Sequence, residues 1–162
     1  MKGYHLAKAR SGGFTLLEIM AAVAIIAILA AISIPLYTQY SQRSYRTEVQ
    51  ADLMNCAQAL ERFNEVNFTY VGAADTVADG LADGANGTIG EDICAANSVR
   101  LQRYAITIAA TPNTFTLTAV PDVNGPNAED GDLTLDDAGN RTWDHDDNGT
   151  IEVGVDDNWE EE

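Results

Sequence analysis

A single carboxylate at the head of an uninterrupted apolar run constrains this chain more than any other feature. Ile19 to Ile32 contains no polar or charged residue, and Glu18 stands immediately before it. The stretch from Phe14 to Leu36 has the length of a helix that spans a bilayer. A charge inside such a span costs roughly 2.5 to 3.5 kcal/mol near the helix centre, so a chain that carries Glu18 there has a use for it. Lys2, Lys8 and Arg10 precede the run and no comparable basic cluster follows it directly, which leaves the carboxyl-terminal part outside the cytoplasm. An ordinary secretory signal is cut after its apolar region. Here the small-residue site at Gly13 lies ahead of that region, so cleavage would leave the helix on the working protein. The organisation expected is a leader over 1–13, a membrane and polymerisation helix half over 14–36, and an extracytoplasmic domain over 37–162.

Pro35 removes a backbone donor and is expected to loosen the turn before it, after which the helix resumes. Val49, Leu53, Cys56, Leu60 and Phe63 then recur at spacings of four and three, one apolar stripe on a polar helix. Arg43, Arg46, Gln50, Asp52 and Glu61 are expected largely off that stripe. A helix from Phe14 to about Val66 would be roughly 80 Å long, and its apolar half must be buried in lipid or in copies of itself. Asn67 to Arg103, spaced by glycines, reads as a long loop with room for a short helix or strand. Tyr104, Ile106 and Ile108, then Phe115, Leu117 and Ala119, alternate about Thr111-Pro112-Asn113 as a hairpin; Leu133 to Asp136 and Asn140 to Trp143 form a second. Four antiparallel strands with one apolar face could cover the stripe, giving an α+β fold. Cys56 and Cys94 permit one disulfide in an oxidising compartment, and closing that loop would stabilise the fold by about 4 kcal/mol on the chain-entropy model.

Gly13-Phe14-Thr15-Leu16-Leu17-Glu18 after a short basic leader resembles the processing site of type IV pilins and of their type II secretion relatives. Pro35, Tyr37 and Tyr40 stand where type IV pilins carry a proline and aromatic residues, and Tyr104 to Val120 followed by Gly131 to Arg141 looks like the sheet of the subgroup that includes minor pilins. The resemblance implies that a prepilin peptidase cuts between Gly13 and Phe14 and methylates the new amino group. It also implies that Glu18 meets the amino terminus of a neighbouring Phe14 and that inner-membrane machinery builds the chain into a homopolymer or a copolymer with other pilins. The precursor would sit in the inner membrane and the product in an extracellular pilus, serving adhesion, motility or DNA uptake. A type II secretion pseudopilin and a membrane-anchored calcium-binding or adhesive module that never polymerises are the alternatives. That pilin subgroup tends to carry a cysteine near Asp130 and another beside the last tryptophan; this chain has neither.

The net charge is -16, and 15 acids stand against the single base Arg141 between Asp122 and Glu162. Such a surface repels nucleic acid and attracts cations. Asp144, Asp146, Asn148, Gly149 and Glu152 spell D-x-D-x-N-G-x-x-E, alternating oxygen ligands around a glycine turn, and Thr150 can add its carbonyl. Calcium is the ion this set suits, although Val155 cannot supply the bidentate acid that closes a complete EF-hand loop. Catalytic constellations are missing: His5 lies in the leader, His145 is embedded in acids, and the glycine-rich loop lacks the lysine of a phosphate-binding loop. The sequence does not read as an enzyme.

Overall fold

The structure is a computed structural model that describes residues 14–150 and 158–159, arranged in two compact units divided after Gln39. Gly13 and Glu152, expected at the processing and calcium sites, lie outside the described residues.

The first unit consists of the start of helix α1 (Leu16–Asn67). Every large apolar side chain from Phe14 to Leu36 is exposed, Phe14 by 84 % and Ile19, the least, by 51 %. This is the one helix among the described residues long and apolar enough to cross a membrane. Pro35 does not end the helix, and the Thr38 hydroxyl donates to the Ile34 carbonyl at 3.1 Å beside it.

In the second unit, strands β1 (Ala74–Asp75), β2 (Asn86–Ile89), β3 (Tyr104–Ala110), β4 (Phe115–Pro121), β5 (Leu133–Asp136) and β6 (Arg141–Trp143) form one antiparallel sheet in sequence order, with the short helix α2 (Asn97–Arg100) before β3. Period-two alternation sends Tyr104, Ile106 and Ile108, Phe115, Leu117 and Ala119, Leu133 and Leu135, and Trp143 to one face. They pack with Val49, Leu53, Cys56 and Leu60 of α1 in one core. The other face carries five threonines in register, Thr88, Thr107, Thr118, Thr134 and Thr142, each directly opposite the next across β2 to β6. Cross-strand threonine pairs add to sheet stability, and the hydroxyls of Thr134 and Thr142 approach to 2.5 Å.

Six strands replace the four expected. The additional β1 and β2 carry no alternating apolar pattern, and their pairing depends on Gly87, with φ 154°, where a Cβ would fall 2.8 Å from the Asp75 carbonyl oxygen. The 67–103 segment is the expected long loop, holding short elements: β1 pairs with β2, and the disulfide Cys56–Cys94 ties the chain before α2 to the core, with Cα atoms 5.2 Å apart. Arg46 and Asp52 are also buried, against the expectation that they lie off the stripe. Arg46, one turn before Val49, and Asp52, three residues after it, flank the apolar stripe on its two sides, so the buried face is wider than the apolar residues alone mark.

Candidate functional site

At the start of α1, Glu18 is held locally. Its Oε2 accepts the Thr15 backbone N–H at 2.8 Å and the Thr15 hydroxyl at 2.9 Å, while the Thr15 hydroxyl oxygen accepts the Glu18 N–H at 3.3 Å. This reciprocal pair is a capping box, which satisfies two of the helix's unpaired amide donors and puts a negative charge at the positive end of its dipole. Thr15-Leu16-Leu17-Glu18 is the sequence signature of that motif, so Glu18 has an intramolecular use beyond any pairing with a second chain. Phe14 lies directly before the cap, exposed.

A second assembly of polar groups sits inside the domain. Arg46 Nε donates to both carboxylate oxygens of Asp130 at 3.1 Å, Nη2 donates to Oδ1, and the guanidinium lies 3.7 Å over the Trp143 ring. The Tyr104 hydroxyl donates to Asp130 Oδ2 at 2.5 Å, and Asn127 Nδ2 donates to that hydroxyl at 2.8 Å and to the Gln42 carbonyl at 3.1 Å. Trp143 Nε1 donates to the Asp130 carbonyl at 2.6 Å. Burial, followed by the adjoining Asp130 carboxylate, pushes the Tyr104 phenol far above its ordinary value, so it remains a donor. Charge-assisted bonds of this kind fix the 127–130 turn against α1. Where the resemblance puts a cysteine near position 130, this chain has an ion pair. Beside the last tryptophan, Trp159 Nε1 donates to the carbonyls of Thr134 at 3.2 Å and Thr142 at 3.1 Å, while Gln50 donates to the Trp159 carbonyl.

The acidic loop after β6 is wound on its own backbone. Asp144, 3 % exposed, accepts the N–H groups of Asn148 at 3.2 Å and Gly149 at 2.8 Å. Asn148 donates to Asp146 at 2.8 Å and accepts the N–H and hydroxyl of Thr150. Among the described residues no group of three or more His, Cys, Asp or Glu side chains is placed to hold a metal ion. Gly131 (φ 70°) sets the loop's distance from the sheet, since a Cβ there would meet the Asp144 carbonyl oxygen at 1.8 Å. Burial, and then the charges of Asp144 and Asp147, raise the Asp132 carboxyl above its ordinary value.

Comparison with known proteins places this geometry in a family. The family model described as type IV minor pilin ComP, DNA uptake sequence receptor, matches residues 35–134, and the prokaryotic N-terminal methylation motif matches residues 8–34. The chain is similar to the type IV major pilin protein PilA of Myxococcus xanthus, 44 % identical over 54 residues that make up 33 % of this chain and 24 % of that protein. It is also similar to the type IV major fimbrial protein FimA of Dichelobacter nodosus, 46 % identical over 54 residues (33 % of this chain, 35 % of that one). The type IV major alpha-pilin of Moraxella bovis is 51 % identical over 41 residues, 25 % of this chain and 26 % of its own. These alignments span about a quarter to a third of the relatives' length.

Proposed function

We propose that this chain, which belongs to the type IV minor pilin family, is made as a membrane precursor, cut after Gly13, methylated on Phe14 and built into a filament through its apolar helix. Members of the type IV pilin family are structural subunits and not enzymes. The observation that carries the reading is a methylation motif that runs into a helix whose large apolar side chains from Phe14 to Leu36 are all exposed, with one carboxylate at its head. In the filament Glu18 exchanges its cap for the amino group of a neighbouring Phe14; a buried carboxylate and ammonium each cost several kcal/mol alone and far less together. Prepilin peptidase and the inner-membrane assembly machinery are the partners this route requires. Mass spectrometry of filament material should find methylated Phe14 as the first residue. An intact Met1 in assembled subunits would overturn the proposal.

The filament's proposed task is DNA uptake, on the strength of the family's description, but without a DNA-contacting face on this subunit. After the leader there is no lysine and there are six arginines against a large acidic excess; of these, Arg46 and Arg103 are ion-paired with Asp130 and Glu48, and Arg141 stacks on Trp159. Cleaved protein at near-physiological salt should bind duplex DNA more weakly than about 100 µM in a mobility-shift assay, the non-specific range. Micromolar binding that discriminates one duplex sequence from a scrambled one would assign the receptor role to this chain itself.

We also propose a calcium ion for Asp144, Asp146, Asn148, Thr150 and Glu152, supported by the mutual repulsion of Asp132, Asp144 and Asp147. Because the folded Asp132 carboxyl is raised above its unfolded value, its ionisation weakens the fold as pH rises through that window, and a cation should relieve the cost. Saturating calcium should stabilise the protein by about 2.7 kcal/mol at a hundredfold excess over the dissociation constant. The melting temperature should then fall with chelator, and an Asp144→Ala, Asp146→Ala double variant should not respond. Equal melting with calcium and with chelator removes the ion from the loop.

A further inference from the structure

A hollow of about 290 Å³ opens beside the disulfide, between the turn after β1, strand β2 and helix α2. Ile89, Cys94, Ala96 and Val99 supply much of its apolar lining, and Asp75 and Glu91 are its only charged lining residues among the described residues. The two carboxylates are in different states. Asp75 accepts the backbone N–H groups of Gly80 at 2.8 Å, Val77 at 3.2 Å and Asp79 at 3.3 Å, of which Gly80 does most to hold its carboxyl below the ordinary range. It is a fixed, ionised charge. The Glu91 carboxylate has no hydrogen-bond or ion-pair partner among the described residues and lies close to Gly80, with Oε2 3.9 Å from where a Cβ on that glycine would be.

A hollow with apolar lining whose charged lining, among the described residues, is two carboxylates is complementary to a group that carries methylenes behind a cationic head. Lysine and arginine side chains have that construction, and they bury their stems while the head stays near water and counter-charge. The hollow, about 290 Å³, stands at the small end of the range for ligand sites and has room for one side chain. A second copy is a poor donor: the chain past its leader is strongly acidic and repels its own kind, has no lysine, and commits Arg46, Arg103 and Arg141, three of its six arginines, internally. We propose that this hollow receives one lysine or arginine side chain from a different, basic protein, its methylenes against Ile89, Ala96 and Val99 and its cationic head between Glu91 and Asp75.

The test uses full-length, isotope-labelled protein in detergent micelles, titrated by NMR with a blocked Gly-Arg-Gly peptide, a blocked Gly-norleucine-Gly peptide and putrescine. The arginine peptide should shift the amides of Gly80, Glu91 and Ala96 saturably in the millimolar range. Glu91→Gln should weaken it by about fivefold or more, as loss of one partly exposed ion pair would. Ala95→Leu, which adds bulk at an exposed lining position without touching the core, should weaken it as well while the rest of the spectrum stays in place. No saturable shift up to about 20 mM, indifference to Glu91→Gln, or equal binding of the norleucine peptide would overturn the proposal. Putrescine binding tighter than the arginine peptide would make the hollow a free-amine site and overturn the protein partner.

Discussion

Glu18→Gln should insert and fold like the parent chain yet fall out of filaments by more than about a hundredfold, because an unpaired buried ammonium at Phe14 costs roughly 3–5 kcal/mol. Glutamine is the informative replacement. It serves at the third position of a capping box as glutamate does, so the Thr15 bonds survive while the charge is removed. Thr15→Ala is the complementary variant: it should cost about 1 kcal/mol at the helix start and leave the carboxylate free to meet a neighbour. Quantifying the chain in sheared filaments, in cells that supply any other pilins it needs, separates the two. Parental levels of Glu18→Gln would mean that Glu18 is a cap and that filaments are held by apolar contact alone. Strong loss with Thr15→Ala as well would make helix initiation, not charge pairing, the requirement.

The second large effect is expected inside the domain. Arg46→Met strands Asp130 with its other oxygen already bonded to Tyr104, and removing one partner of a buried pair costs about 3–5 kcal/mol. In a chain of this size that lowers the melting temperature by about 10 °C or more, measurable by circular dichroism. Pairing Arg46→Met with Asp130→Leu should recover part of the loss, since two apolar groups leave no stranded charge, although Tyr104 then loses its acceptor. A single variant that melts within a degree of the parent would show that the pair is solvent-screened despite its burial.

What was legible in the sequence follows from which interactions are local. The apolar helix, the stripe from Val49 to Leu60 and strands β3 to β6 are repeated patterns of period 3.6 or 2, and the structure has them. Strands β1 and β2 are two and four residues long, built from Ala-Asp and Asn-Gly-Thr-Ile, and no alternation survives at that length. The burial of Arg46 was hidden for a different reason: a charged residue on a helix reads as solvated, and its partner Asp130 is 84 residues away in a turn with no signature. Thr15 was the opposite case. Its motif is local and readable, although the cost of a carboxylate in lipid points as well to a partner in another chain. Trp159, held by carbonyls of β5 and β6, depends on long-range geometry that composition does not encode.

The bond between Cys56 and Cys94 also has a mechanical meaning for a subunit that would work under tension. A pulling force that peels the domain can straighten only chain that is not closed into a loop, and the chain between these cysteines, a sequence separation of 38, is covalently short-circuited. About 130 Å of contour length is thereby withheld from extension, at roughly 3.5 Å per residue. Load bypasses β1, β2 and the hollow beside them, passing from α1 to the segment before α2 through two sulfur atoms. The weakest-patterned part of the sheet is thus the part that force does not reach until a reductant opens the loop.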